Sequence, residues 1–160
     1  MRLVSNSGPI LSFARANRLD VLNTVVEELF IPEAVYDDIV IAGQGQAGAR
    51  EVADAVWIKR TPVTDTSSTD RLSSRLHAGE RQAIVLAREL KLALLVDERE
   101  ARKVAGDLGI PFLGSLRILQ EAKRLAVITD IKPLLHELTN AGMYVSDAVL
   151  RNFFREVGES

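Results

Sequence analysis

Four polar residues occupy sequence positions that a parallel sheet would bring together at one of its edges. Asp97 directly follows the apolar run 92–96, and Glu80 opens the helical segment that precedes this run. Asn6 follows a short first strand, and Asp38 lies soon after a second one. Carboxylate and amide oxygens are the hard donors that bind Mg²⁺ or Mn²⁺ in proteins. The pattern therefore makes all four residues candidate ligands of a divalent cation.

The predicted path of the chain supports this grouping. The helix descends roughly 15 Å from Glu80 to residue 90, and the strand climbs back roughly 17 Å from residue 92 to Asp97. The two displacements nearly cancel, so both carboxylates should lie at the carboxyl end of the sheet, where ligands bind in open α/β folds. Asn6 is expected at the same end. Asp38 should stand about 9 Å into the helix that follows the second strand.

Each of these residues also has a purely structural interpretation. Asn6 and Asp97 could cap the helices that follow them, and Glu80 could complement a helix dipole. Asp38, with its neighbour Asp37, could belong to a solvated helix face. Several acids gathered at one sheet end repel each other, however, and a bound cation relieves that repulsion most simply. The convergence therefore favours a metal site.

The elements that would position these residues alternate between strands and helices. This alternation predicts an α/β fold, a three-layer α/β/α sandwich with a mainly parallel, roughly five-stranded sheet. We expect one domain over residues 1–160, with the last helical segment, about 130–158, packing on it. The predicted strands are 3–5, 28–31, 55–58, 92–96 and 110–113, and the clearest predicted helix is 78–90.

Composition excludes several other classes of site. The chain has 160 residues, no cysteine and a net charge of −2, so disulfides, zinc–thiolate sites and cysteine nucleophiles are excluded. Residues 71–124 carry 11 Lys and Arg against 7 Asp and Glu, which makes this part the expected face for an anionic partner. With no apolar run of membrane-spanning length and no signal-peptide pattern, we expect a cytoplasmic protein without membrane contact.

Four segments together resemble the PIN-domain family, and in particular its VapC-like toxin and nucleic-acid-binding subfamily. The segment AGERQAIVLA at 78–87 resembles the motif GE-x-x-A-I-x-x-A, and LLVDEREAR at 94–102 resembles LLVDE-x-x-A-R. The segments VSNSGPIL at 4–11 and LFIPEAVYDDI at 29–39 are similar to the first two motifs of the family.

The resemblance implies an Mg²⁺- or Mn²⁺-dependent ribonuclease, often the toxin of a toxin–antitoxin pair. RNA would be the substrate, a cognate antitoxin protein the partner, and a homodimer the common assembly. The bound metal would activate water and stabilise charge on the phosphate. The implied catalytic residues are Asp38, Glu80 and Asp97, the implied metal ligands are these three and Asn6, and the candidate RNA-binding residues are Arg81, Arg99, Arg102 and Lys103.

The first motif departs from the family because Asn6 stands where most catalytic members have Asp. An amide oxygen can bind a cation but contributes no charge, which leaves open a catalytically impaired PIN module that binds RNA or protein. A nucleotide-binding regulator is a third alternative, and the absence of a glycine-rich loop after the first strand disfavours it. His77 and His136 are too few and too isolated for histidine-based catalysis.

Overall fold

The structure is a computed structural model that describes residues 1–159. Its centre is one five-stranded sheet with the strand order β3-β2-β1-β4-β5, and every pair of neighbouring strands is parallel. This confirms the predicted α/β architecture. The strands are β1 (Arg2–Ser5), β2 (Glu28–Ile31), β3 (Ile58–Arg60), β4 (Ala93–Leu95) and β5 (Phe112–Leu113).

Helices connect the strands and complete the chain after β5. A short π-helix, Asp37–Ile41, continues α3 directly. The α-helices are α1 (Ser7–Arg15), α2 (Leu19–Val25), α3 (Glu33–Tyr36), α4 (Ala49–Asp54), α5 (Thr66–Arg71), α6 (Ala78–Leu90), α7 (Arg99–Asp107), α8 (Ser115–Arg124), α9 (Ile131–Asn140) and α10 (Asp147–Val157).

The alternation of side chains along the central strands produces two cores, one on each face of the sheet. In β1, Leu3 packs into one hydrophobic cluster and Val4 into the other. Leu95 and Leu94 of β4 divide between the clusters in the same way. Successive residues of a strand point to opposite faces, so a strand covered on both faces is apolar throughout. The larger cluster holds residues of α1, α2, α8, α9 and α10, and the smaller cluster holds those of α6 and α7.

The two C-terminal helices pack against the larger cluster. Leu134 and Leu138 of α9 and Phe153 of α10 are buried there. The Glu159 carboxylate accepts hydrogen bonds from the backbone N–H of Ile131 at 2.9 Å and from Lys123 Nζ at 2.7 Å. These contacts tie the end of the described chain to the start of α9 and to α8. No helix within residues 1–159 is both long enough and apolar enough to cross a membrane.

The strand register places the ends of β1 and β4 side by side. Ser5 pairs with Leu95, and the backbone N–H of Asn6 donates to the Leu95 carbonyl oxygen at 3.4 Å. The loops that leave these two strands therefore start next to each other at the carboxyl end of the sheet. β1 and β4 are also the strands between which the connections change direction, which is the usual ligand position in parallel α/β sheets.

Candidate metal and active site

A pocket of about 340 Å³ opens where the loops after β1 and β4 meet the start of α6. It brings together three of the four predicted ligands, because Asn6, Asp38 and Glu80 all line it. We call it the acid pocket and define it by its lining residues Asn6, Ser7, Gly8, Asp38, His77, Ala78, Gly79, Glu80 and Glu98.

Asn6 contributes a buried oxygen that has no partner. The residue is 3% exposed, and its Oδ1 is the one buried side-chain polar atom within residues 1–159 that makes no hydrogen bond. Asn6 occupies the N-cap position of α1 with extended backbone, yet its side chain does not cap the helix. Buried polar atoms nearly always find a partner, so this oxygen is available for a ligand that enters the pocket.

Asp38 reaches the pocket from the π-helix. The backbone N–H of Ala42 donates to the Asp37 carbonyl oxygen at 2.7 Å, five residues back, and such π turns occur frequently at functional sites. Asp38 Oδ2 accepts a hydrogen bond from Ser7 Oγ at 3.3 Å. It also lies against Gly79, where a Cβ atom would stand only 3.1 Å from the same oxygen. The glycine at the second position of α6 therefore makes room for this carboxylate.

The Glu80 carboxyl lies next to a second acid, Glu98, in the acid pocket. Glu80 is 8% exposed, and burial, its hydrogen bond with Glu98 and repulsion from that carboxylate raise its pKa to about 8. A weaker hydrogen bond from the backbone of His77 acts in the opposite direction. Near neutral pH the Glu80 carboxyl thus keeps its proton and is hydrogen-bonded to Glu98. Two carboxyl groups held together in this way are typical of sites that perturb pKa values for function.

The Asp97 carboxylate does not line the acid pocket and contacts the start of α8 instead. Its carboxylate accepts hydrogen bonds from the backbone N–H of Ser115 at 2.7 Å and from Ser115 Oγ at 2.6 Å, at the first residue of α8. Gly114 lies so close that a Cβ atom there would stand 2.9 Å from Asp97 Oδ1. The N-cap of α7 is Glu98, so Asp97 does not cap that helix as the structural interpretation had it. Asp97 holds the N-terminus of α8 and lines the cavities next to the acid pocket.

Three of the four predicted RNA-binding residues share one of those neighbouring cavities. Arg99, Arg102 and Lys103 line a space of about 470 Å³ together with Asp97. The Arg102 guanidinium lies over the Phe112 ring, with Cζ 5.0 Å from the ring centroid. Arg81 follows Glu80 in α6 and lines neither this cavity nor the acid pocket. We call the space of about 470 Å³ the cationic cavity; Asp97 and Arg99 line it, whereas Glu98, between them, lines the acid pocket.

The donors in the acid pocket fit a hard divalent cation. Within residues 1–159, no three His, Cys, Asp or Glu side chains approach closely enough to hold a metal ion in this arrangement. The pocket does offer the paired carboxyls of Glu80 and Glu98 and the unpartnered oxygen of Asn6. All are oxygen donors of the type that Mg²⁺ and Mn²⁺ prefer. A cation would relieve the repulsion between the acids and give the Asn6 oxygen a partner.

Sequence reasoning did not single out Glu98. Glu98 follows Asp97 immediately, and the helix-capping pattern and the family motif both pointed to Asp97. The signal that could have found it is the Asp–Glu dipeptide itself. Neighbouring residues in an extended loop point in opposite directions, so only one of the two side chains could face the pocket at the end of β1. The structure shows that it is the second.

Comparison with known proteins agrees with the fold and the motifs. The sequence model of the PIN-domain family matches residues 2–159, nearly the whole chain. A solved PilT N-terminus domain protein from the hyperthermophilic archaeon Sulfolobus solfataricus P2 superposes with a TM-score of 0.56 at 15% sequence identity, over 76% of this chain and 93% of the other. The search of curated proteins gave no match. At that identity the solved neighbour supports the fold alone, whereas the family match spans all the motifs, and the chain therefore belongs to the PIN-domain family, a family of nuclease type.

Proposed function

We propose that this protein is a ribonuclease that hydrolyses RNA phosphodiesters with a divalent cation, Mg²⁺ or Mn²⁺, held in the acid pocket. The observation that carries the proposal is the buried, unpartnered Oδ1 of Asn6 beside the paired carboxyls of Glu80 and Glu98. Asp38, held by Ser7 at the pocket's edge, adds a further carboxylate. Family membership supports the same chemistry, since PIN domains generally depend on divalent metal.

When bound, the cation would supply an activated water and charge stabilisation at the phosphate. The chain's own residues do the rest. Asn6, Glu80 and Glu98 would hold the cation, with Asp38 as a further carboxylate ligand from the edge of the same pocket. Since the pKa of Glu80 is raised to about 8, cation binding must displace its proton. Cation affinity should therefore rise with pH up to about that value.

Asp97 enters the proposal as a catalytic residue whose carboxylate also holds α8. Asp97 directly precedes Glu98, so it lies beside the acid pocket while it lines the cationic cavity. Arg99, Arg102 and Lys103 would bind backbone phosphates from that cavity, because each carries a positive charge at its lining. Arg81 stays a candidate for a phosphate contact on α6.

The resemblance of two motifs to the VapC-like subfamily supports a proposal for the biological setting. We propose that the protein acts as the toxin of a toxin–antitoxin pair in the cytoplasm, with a cognate antitoxin protein as partner and a homodimer as its assembly. Co-purification with the product of a neighbouring open reading frame, and loss of growth inhibition when that product is co-expressed, would test the pairing.

A catalytically impaired RNA- or protein-binding module is the second candidate. The observation that favours it is the low negative charge of the metal-free pocket, because Asn6 is neutral and Glu80 is protonated near neutral pH. Such a module would bind RNA equally well with Mn²⁺ and with a chelator and would cleave in neither case.

Cleavage of mixed single-stranded RNAs with Mn²⁺, Mg²⁺ or EDTA separates the two candidates. The nuclease proposal predicts cleavage with metal only, and loss of cleavage in Glu80→Gln and Glu98→Gln. Glu27→Gln is the matched control, because Glu27 is exposed in the loop before β2, at the opposite end of the sheet. Absence of metal-dependent products from the wild type would favour the binding module.

A further inference from the structure

A histidine stands at the mouth of the acid pocket. His77 lines the pocket and is exposed, whereas Asn6 and Glu80, which line it too, are buried. A phosphodiester bound to a cation on the buried residues would therefore extend past His77 toward solvent. The isolation of His77 in the sequence argued against a mechanism built on histidines alone, but the donation of one proton requires a single imidazole.

The backbone of His77 is fixed, while its ring is left without a charged partner. His77 is the N-cap residue of α6, and its carbonyl oxygen accepts a hydrogen bond from the backbone N–H of Arg81 at 3.0 Å. The ring makes no capping hydrogen bond, and within residues 1–159 it forms no ion pair. The imidazole is thus held at the mouth of the pocket and is available to a bound substrate.

The other polar side chains of the pocket have no proton to give once a cation is bound. The Glu80–Glu98 pair gives up its proton when the cation binds. Asp38 is a hydrogen-bond acceptor, and the Ser7 hydroxyl already donates to it at 3.3 Å. Amide and hydroxyl groups do not release a proton near neutral pH, whereas imidazole is the side chain that ordinarily exchanges one there. His77 is therefore the proton donor that the pocket offers to a substrate.

We propose that His77 is the general acid of the cleavage reaction and gives a proton to the ribose oxygen that leaves phosphorus. In this reaction an oxygen of water forms a bond to phosphorus, while the bond from phosphorus to the ribose oxygen breaks. The imidazolium proton of His77 goes to that ribose oxygen, which leaves as a hydroxyl group. The attacking water gives its proton to the solvent, and the solvent returns one to His77. The inference rests on the proposed nuclease function and adds the source of the leaving-group proton.

Two substrates with different leaving groups separate this role from a structural one. A ribose oxygen leaves poorly without a proton, whereas p-nitrophenolate leaves without one. His77→Gln keeps a hydrogen-bonding side chain but cannot transfer a proton. With Mn²⁺ it should cleave single-stranded RNA about 100-fold to about 10,000-fold more slowly than the wild type, the usual value of a general acid. With Mn²⁺ and bis(p-nitrophenyl) phosphate, the same variant should react at the wild-type rate.

His136→Gln is the matched control. His136 is the other histidine of the chain and is exposed on α9, which packs in the larger cluster, on the other face of the sheet from α6. Its replacement should leave both rates unchanged.

Thermal unfolding with and without Mn²⁺ provides a measurement that does not depend on cleavage. Both histidine variants should have the wild-type Tm without metal, because each side chain is exposed. Both should also show the wild-type rise in Tm with Mn²⁺, because His77 is not one of the proposed ligands of the cation.

Equal losses of His77→Gln with RNA and with bis(p-nitrophenyl) phosphate would overturn the inference and leave the nuclease proposal standing, and so would undiminished cleavage of RNA. A smaller Mn²⁺-induced rise in Tm for His77→Gln would show that His77 binds the cation instead. A wild type that does not cleave RNA with Mn²⁺ would overturn the nuclease proposal and the inference with it. If the wild type cleaves RNA but not the aryl ester, an RNA strand with sulfur in place of the leaving oxygen makes the same comparison, because a thiolate also leaves without a proton.

Discussion

The Glu80–Glu98 pair predicts that the metal-free protein loses stability as the pH rises. The Glu80 pKa is 4.5 in the unfolded chain and about 8 in the folded one. Well below 4.5 both states hold the proton, so the raised pKa does not change the free energy of unfolding there. Between 4.5 and about 8 the unfolded state releases the proton while the folded state keeps it, so stability falls across this interval.

The size of this loss follows from the same interval. At about 1.4 kcal/mol per pH unit the full effect is on the order of 5 kcal/mol. The two carboxyls share the cost of ionising the pair. We therefore expect the free energy of unfolding to fall by about 2 to 5 kcal/mol, or the Tm by roughly 5 to 20 °C for a chain of this size. Glu80→Gln mimics the protonated carboxyl at every pH and should remove the loss.

Thermal unfolding followed by circular dichroism in EDTA provides the assay. At about pH 5 the wild type and Glu80→Gln should unfold at similar temperatures, and at about pH 8.5 the variant should be the more stable. Adding Mn²⁺ should then raise the Tm of the wild type more than that of the variant, because the cation binds the ionised pair. Glu27→Gln should follow the wild type throughout. A difference between wild type and Glu80→Gln that does not change with pH would refute the reasoning.

Three further substitutions test two other residues of the acid pocket and the neighbouring Asp97. Asn6→Asp should increase the Mn²⁺-induced rise in Tm relative to the wild type, since a charged ligand replaces a neutral one; equal rises would place residue 6 outside the cation's reach. Gly79→Ala should reduce cleavage about ten-fold or more, because its Cβ would stand 3.1 Å from Asp38 Oδ2 and displace that carboxylate, with little change in Tm. Asp97→Asn should abolish cleavage while the protein stays folded, at a stability loss of about 1 to 3 kcal/mol from the weakened bonds to Ser115. Ser115→Ala should lower Tm similarly but retain cleavage, and full activity in Asp97→Asn would restrict that residue to holding α8.

Strong periodic segments were predictable from the sequence. The helical spacing of 78–90 gives the bounds of α6, and the apolar run 92–96 contains β4, because burial on both faces of the sheet requires an unbroken apolar segment. The third strand lies further along the chain than predicted. The run 55–58 predicted a strand, but β3 covers Ile58–Arg60 at the edge of the sheet, where only Ile58 is buried. An edge strand needs one apolar face and tolerates charged residues such as Lys59.

Helix α5 lies almost wholly within the polar segment 61–70, where the sequence analysis predicted no helix. Helix α5 begins after Asp65, whose carboxylate accepts from the Ser68 backbone N–H at 3.1 Å and from Ser67 Oγ at 2.8 Å. Its residues are small and polar, so no hydrophobic period marks it. The cap residue Asp65 was the available signal. Hydrogen bonds from the Ser68 hydroxyl, the Ser67 hydroxyl and the Ser68 backbone N–H lower its pKa to about 2.

The sequence predicted where the candidate site lies in the fold, but not every side chain that lines it. Counting residues along α6 and β4 brought Glu80 to the end of the sheet where Asn6 lies. The same counting could not decide between Asp97 and Glu98, because neighbouring loop residues differ only in direction. The hydrogen bonds from Ser115, 18 residues further along the chain, hold Asp97 on one side. That contact depends on the tertiary packing of α8 and leaves no local pattern.

The most direct test of the central claim is anomalous diffraction from crystals of the protein soaked in Mn²⁺. The account predicts one strong peak in the acid pocket, bonded to Asn6 Oδ1 and to the carboxylates of Glu80 and Glu98, and no such peak in crystals of Glu80→Gln. A pocket without anomalous density at saturating Mn²⁺, or density at a site that does not include Asn6, would contradict it.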